Sequence, residues 1–120
     1  MDLGLNGKVA LVTGGARDVG RKIVLALVNE GAAVAINYRG SEAEALALVT
    51  EIEGQGGTAR SYGADVTDYD AVCAMTEQVV ADFGRLDVLV NNAGYVMPQR
   101  FVKTTPADWH SQIDVGLYGV

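Results

Sequence analysis

The stretch KVALVTGGARDVGRKIVLALVNEG, residues 8–31, changes character twice. Residues 8–13 form a short β-branched apolar run with no polar interruption, the pattern of a strand covered on both faces. From Val19 the period lengthens, and Val19, Ile23, Val24, Leu27 and Val28 recur at helical spacing until Gly31 offers a left-handed stop. Between them lies a Gly-rich turn, so the stretch reads as strand, tight turn and helix.

The same unit repeats downstream. Residues 33–38 (AVAINY) predict a second strand, and Ser41 with Glu44 three residues on predicts a capping box opening a helix whose apolar face is Ala45, Leu48, Val49 and Ile52. Gly54, Gly56 and Gly57 break that helix before a third strand over 58–64, poorer in apolar residues and so placed near a sheet edge. Thr67 is expected to cap a third helix, with Val72, Met75, Val79, Val80 and Phe83 on its face and Gly84 as its stop. Residues 86–90 (LDVLV) give a fourth strand. Thr105, Pro106 and Asp108 open a fourth helix, expected to run on to Val120.

Strands that alternate with helices and are buried on both faces imply a parallel sheet with right-handed crossovers. The fold expected is α/β, a Rossmann-type doubly wound sheet represented by its first four strands, with residues 1–120 as one domain. Ligands of such sheets bind at the carboxyl ends of the strands, where strand order reverses.

Composition narrows the partners. The chain has 120 residues, 49% hydrophobic and 20% charged, and a formal net charge of −6. That acidity argues against a nucleic-acid or anionic-membrane surface, which needs clustered Lys and Arg. The single cysteine, Cys73, rules out an internal disulfide, and the sequence shows no leader or long apolar run. A reducing cytoplasm is the compartment expected.

The strand ends carry the chemistry. In the first turn, Gly14, Arg17, Asp18, Val19 and Gly20 lead into a helix N-terminus whose amides attract phosphate. At the second strand end, where an NAD-binding protein usually places an acid for the ribose 2′-hydroxyl, this chain has Asn37, Tyr38 and Arg39. A guanidinium binds a 2′-phosphate bidentately, so NADP(H) is expected over NAD(H). Asp65-Val66 and Asn91-Asn92-Ala93-Gly94 stand at the third and fourth strand ends.

In this order and spacing, Thr13-Gly14 with Gly20, Asp65-Val66 and Asn91-Asn92-Ala93-Gly94 resemble the short-chain dehydrogenase/reductase family over essentially the whole chain. The resemblance implies hydride transfer between a nicotinamide and a carbonyl or alcohol substrate, and a homo-oligomer as a complete chain. It implies that Gly14 and Gly20 shape the pyrophosphate turn, that Asp65 accepts from the adenine amino group beside the Val66 backbone, and that Asn92, Ala93 and Gly94 pass close to the cofactor. It assigns Asn91 a structural role, tying backbone groups of the central strands together.

Two positions depart from the family pattern. Asp18 replaces a glycine beside the pyrophosphate, so its carboxylate is expected to face outward or pair with Arg17, Arg21 or Lys22. Gly116 stands where an asparagine helps hold a proton-relay water. These two departures support an alternative reading, a non-catalytic dinucleotide-binding or sensor protein. The family's catalytic serine and Tyr-x-x-x-Lys pair follow the next strand, so no catalytic residue is assigned here and the segment alone is expected to be inactive. Neither Tyr95 nor Tyr118 has a lysine four residues on. The loop of Tyr95, Val96, Met97 and Pro98 is expected to help build the substrate pocket. His110 reads as a surface residue, Cys73 as a half-buried packing residue, and no metal-ligand cluster is present.

Overall fold

A computed structural model describes residues 1–95 and 98–120. Its elements follow the expected alternation: β1 (Val9–Val12), α1 (Asp18–Asn29), β2 (Ala33–Tyr38), α2 (Glu42–Gly54), β3 (Ala59–Gly63), α3 (Tyr69–Phe83), β4 (Val88–Val90) and α4 (Pro106–Ile113). A 3₁₀ turn at Phe101–Lys103 precedes α4, and a π-helical turn at Asp114–Tyr118 follows it.

The four strands form one parallel sheet in the order β3-β2-β1-β4. Strand order therefore reverses between β1 and β4, and a crevice opens at their carboxyl ends. Side chains alternate across the sheet, which splits the core in two. On one face Val12, Val34 and Ile36 pack with Val24 of α1 and with Ala45, Leu48 and Ile52 of α2. On the other, Val9, Leu11 and Ala35 pack with Met75 and Val79 of α3.

β4 departs from the two-face burial expected of it. Val88 and Val90 are half-buried, and Leu89 is 56% exposed and belongs to neither side of the core described above. β3 lies at a sheet edge, as its mixed composition implies.

The helix ends show where local signals hold and where they are overridden. At α4 the capping box forms: Thr105 Oγ1 accepts from the Asp108 amide at 3.3 Å while Asp108 Oδ2 accepts from the Thr105 amide at 2.8 Å. At α2 it does not form. Ser41 adopts ψ 46°, away from the extended geometry that aims a capping hydroxyl at the first-turn amides, and its side chain makes no cap bond. At α3 the cap is Asp68, whose carboxylate accepts from Ala71 N–H at 3.1 Å. Thr67 does not cap, because α3 starts at Tyr69 and Thr67 lies one residue before the cap; its hydroxyl and amide both donate to Asp65 Oδ1. Gly84 closes α3 at φ 82°, left-handed as expected. Val80 is 43% exposed and lies off the buried face of α3. α4 does not run on to Val120 as a regular helix but widens into the π turn that contains Gly116.

Candidate functional site

The crevice at the carboxyl ends of β1, β2 and β4 is a cleft of about 790 Å³. That volume lies within the range of small-molecule and cofactor sites. The three strand ends are fastened to one another by polar side chains, which fixes the cleft's floor.

Thr13, only 6% exposed, directly follows β1. Its Oγ1 accepts from the amides of Asn92 and Ala93, both at 3.0 Å, and donates to Val90 O at 3.4 Å. Asn92 returns the link, its Nδ2 donating to Thr13 O at 3.0 Å and Gly14 O at 3.1 Å. This corrects the role expected for Asn91: the neighbouring Asn92 ties the central strands. Side chains alternate along the chain, and Asn91 lies on the exposed side with no side-chain hydrogen bond among the described residues.

Asn37 does the same work between β1, β2 and β3. It is 2% exposed, its Oδ1 accepts from Gly14 N–H at 3.2 Å, and its Nδ2 donates to Ala64 O at 3.0 Å and Tyr62 O at 3.3 Å. Its backbone carbonyl accepts from Gly15 N–H at 2.9 Å. Buried amides of this kind stay only where their bonds are made, so Asn37 fixes the first turn relative to the end of β3.

The turn itself depends on two glycines. Gly14 adopts φ 61°, and a Cβ there would lie 3.1 Å from Ala93 Cα. A Cβ on Gly20 would lie 2.1 Å from Gly14 O and 2.6 Å from Asn92 Nδ2, so only glycine lets α1 start this close to the turn. The amides of Gly14 and Gly15 are used internally, whereas those of the first turn of α1 have no intrahelical partner and lie at the positive end of the helix dipole.

Asp18 is the one non-glycine residue with positive φ among the described residues, at 52°. It is exposed and borders the cleft. The cations near it are not its partners: Arg21 pairs with Glu51 of α2, and no ion pair joins Asp18 to Arg17 or Lys22 among the described residues. Val19, expected on the core face of α1, is 64% exposed and borders the cleft instead.

Eleven of the twelve expected site residues border the cleft: Gly14, Arg17, Asp18, Val19, Gly20, Tyr38, Arg39, Val66, Asn92, Ala93 and Gly94. Asp65 stands behind them. Its Oδ1 accepts from Thr67 N–H at 2.9 Å and Thr67 Oγ1–H at 2.7 Å, and its Oδ2 lies 3.2 Å from Arg39 Nε. The two Thr67 bonds, with help from the Arg39 charge, hold the Asp65 carboxyl below the usual carboxylate range.

The structure adds residues that the sequence reading left out. Ser111 and Val115 reach the cleft from α4 and the π turn, and Tyr95 Oη lies 2.9 Å from Ser111 Oγ. Nothing in the sequence marked them, since their position depends on how α4 crosses the strand ends. Asn37 did carry a signal, a lone amide in a buried apolar strand. Of the loop expected to line the substrate pocket, Val96 and Met97 lie outside the described residues. Gly116 has open space where a Cβ would stand.

Comparison with known proteins agrees with this geometry. The family described as short chain dehydrogenase matches residues 8–120. A 3-oxoacyl-[acyl-carrier-protein] reductase FabG of Staphylococcus aureus is 46% identical over 113 residues, covering 94% of this chain and 46% of the relative. The corresponding Synechocystis reductase is 40% identical over 116 residues, 97% of this chain and 47% of the relative. A short chain dehydrogenase from Burkholderia cenocepacia, solved in complex with NADP, superimposes with a TM-score of 0.90 at 40% identity, covering 96% of this chain and 47% of that one. The chain thus spans about half the length of the relatives it matches. With the parallel sheet, the Gly14–Gly20 turn and the Thr13–Asn92 clamp in place, the match over residues 8–120 shows that this chain belongs to the short-chain dehydrogenase family.

Proposed function

We propose that residues 1–120 form the nucleotide-binding, N-terminal part of an NADP(H)-dependent oxidoreductase that moves hydride between the nicotinamide and a carbonyl or alcohol substrate. The reading is carried by one observation. At the end of β2, where a ribose 2′-hydroxyl would be held by an acid, the cleft is bordered by Tyr38 and the cation Arg39. The Burkholderia neighbour bound to NADP and the reductase names of the Staphylococcus relatives support the same assignment.

The residues present fit a dinucleotide. First-turn amides of α1 and the Arg17 guanidinium lie where a diphosphate would enter, and the close approach of Gly14 to Ala93 leaves backbone, not side chain, along that wall. Gly94, Tyr95 and Ser111 also border the cleft, and the nicotinamide is assigned to that side. The bound cofactor supplies the hydride chemistry. This chain's part is to hold it: the α1 amides bind the diphosphate, Arg39 takes the 2′-phosphate, and Val66 with Val19 packs against the bases and sugars.

The assignment is tested by titrating wild type and Arg39→Ala with NADPH and NADH. Loss of the charge-assisted pair is expected to weaken NADPH by roughly 1.5–3 kcal/mol, about tenfold to a hundredfold, and to leave NADH nearly unchanged. Equal weakening of both, or a wild type that prefers NADH, contradicts it.

A further inference from the structure

Arg39 borders the cleft in an ion pair. Its side chain is 75% exposed, a position where a long cationic side chain ordinarily spreads over many rotamers, yet its Nε sits 3.2 Å from Asp65 Oδ2. Asp65 is itself immobilised. Both bonds from Thr67 fall on Oδ1, at 2.9 and 2.7 Å, which leaves Oδ2 as the oxygen facing Arg39. The ion pair lies at Nε, which leaves the two terminal nitrogens of the guanidinium as a fork, the geometry that binds a phosphate bidentately.

From this arrangement we infer that Asp65, locked by Thr67, is a positioning residue for Arg39 and thereby sets the preference for a 2′-phosphate over a 2′-hydroxyl. The inference rests on the reading of Arg39 given above. A carboxylate near a phosphate also repels it. Here, however, the guanidinium stands against the carboxylate and neutralises it, and the surrounding solvent screens what remains. Ordering of the fork therefore outweighs the repulsion.

This role is separable from a contact between Asp65 and the adenine base. Both cofactors share the adenine, so losing such a contact weakens NADPH and NADH alike and leaves their ratio unchanged. Losing the tether weakens NADPH alone. The experiment measures dissociation constants for NADPH and NADH by fluorescence titration of wild type, Arg39→Ala, Asp65→Asn, Thr67→Val and the Arg39→Ala/Asp65→Asn double variant. Asp65→Asn is expected to lower the NADPH-to-NADH affinity ratio about fivefold, the factor equivalent to about 1 kcal/mol from one exposed pair. Thr67→Val, which keeps the carboxylate and loosens only its lock, is expected to move the ratio in the same direction by less. On the Arg39→Ala background, Asp65→Asn is expected to leave the ratio where it is.

A ratio unchanged in both Asp65→Asn and Thr67→Val, or raised in either, overturns the inference while the Arg39 assignment stands. A ratio that Arg39→Ala does not move overturns both. If Asp65→Asn does not fold, Thr67→Val decides alone, since it leaves the ion pair's charges in place.

Discussion

At the scale of single residues, Asp18 is where two demands on the phosphate turn meet. The backbone there must be left-handed, at φ 52°, a conformation in which a side chain costs about 1 kcal/mol, though aspartate tolerates it better than most. The position also borders the cleft, where a carboxylate adds negative charge beside the α1 amides. Neither Arg21 nor Lys22 relieves it, and Arg21 is drawn off by Glu51. Asp18→Gly removes the strain and the charge together. It is expected to stabilise the fold slightly, by up to about 1 kcal/mol, and to keep or tighten NADPH binding. A thermal melt and a cofactor titration check both parts. Binding weakened tenfold by Asp18→Gly would show that the carboxylate organises the turn.

At the scale of elements, the short strand β4 is anchored at its start by a side chain. Asp87 Oδ2 accepts from Val9 N–H at 2.9 Å and its Oδ1 accepts from Arg85 at 2.7 Å. Those two bonds, the Arg85 one first, hold the Asp87 carboxyl below its usual value. A carboxyl lowered in the folded state contributes stability above its unfolded pKa of about 3.9, and that contribution disappears as pH falls through the folded value. Asp87→Asn is therefore expected to melt lower than wild type at about pH 7, with the gap narrowing as pH falls below about 4. A gap independent of pH contradicts the anchoring. Hydrophobic period was enough to read the elements themselves, because burial on one or two faces leaves a repeat of 3.6 or 2 in the sequence. Their ends were harder. Thr105 and Ser41 carry the same capping signature, yet only Thr105 has the extended backbone that the box requires. Thr67 and Asp68 are both residue types that cap, and the helix starts one residue later than the Thr67 signal implies, so Asp68 takes the role.

At the scale of the molecule, the cleft is made by topology and fastened by amides. The reversal of strand order between β1 and β4 opens it, Thr13 with Asn92 joins its central walls, and Asn37 joins the first turn to the end of β3. Most of its lining was legible because glycines and polar residues at strand ends interrupt apolar runs. Ser111 and Val115 were not, because α4 and the π turn carry them to the cleft across space and nothing in their neighbours in the chain marks it. The central claim is that a dinucleotide lies along this cleft with its diphosphate at α1 and its 2′-phosphate at Arg39. Amide-resolved NMR of the chain titrated with NADPH tests it most directly. The account predicts shifts concentrated in residues 14–20, 38–40, 64–66 and 92–94, with NADH sparing 38–40. Shifts centred on the β3 edge around Arg60 and Tyr62, or no saturable shifts at all, would contradict it.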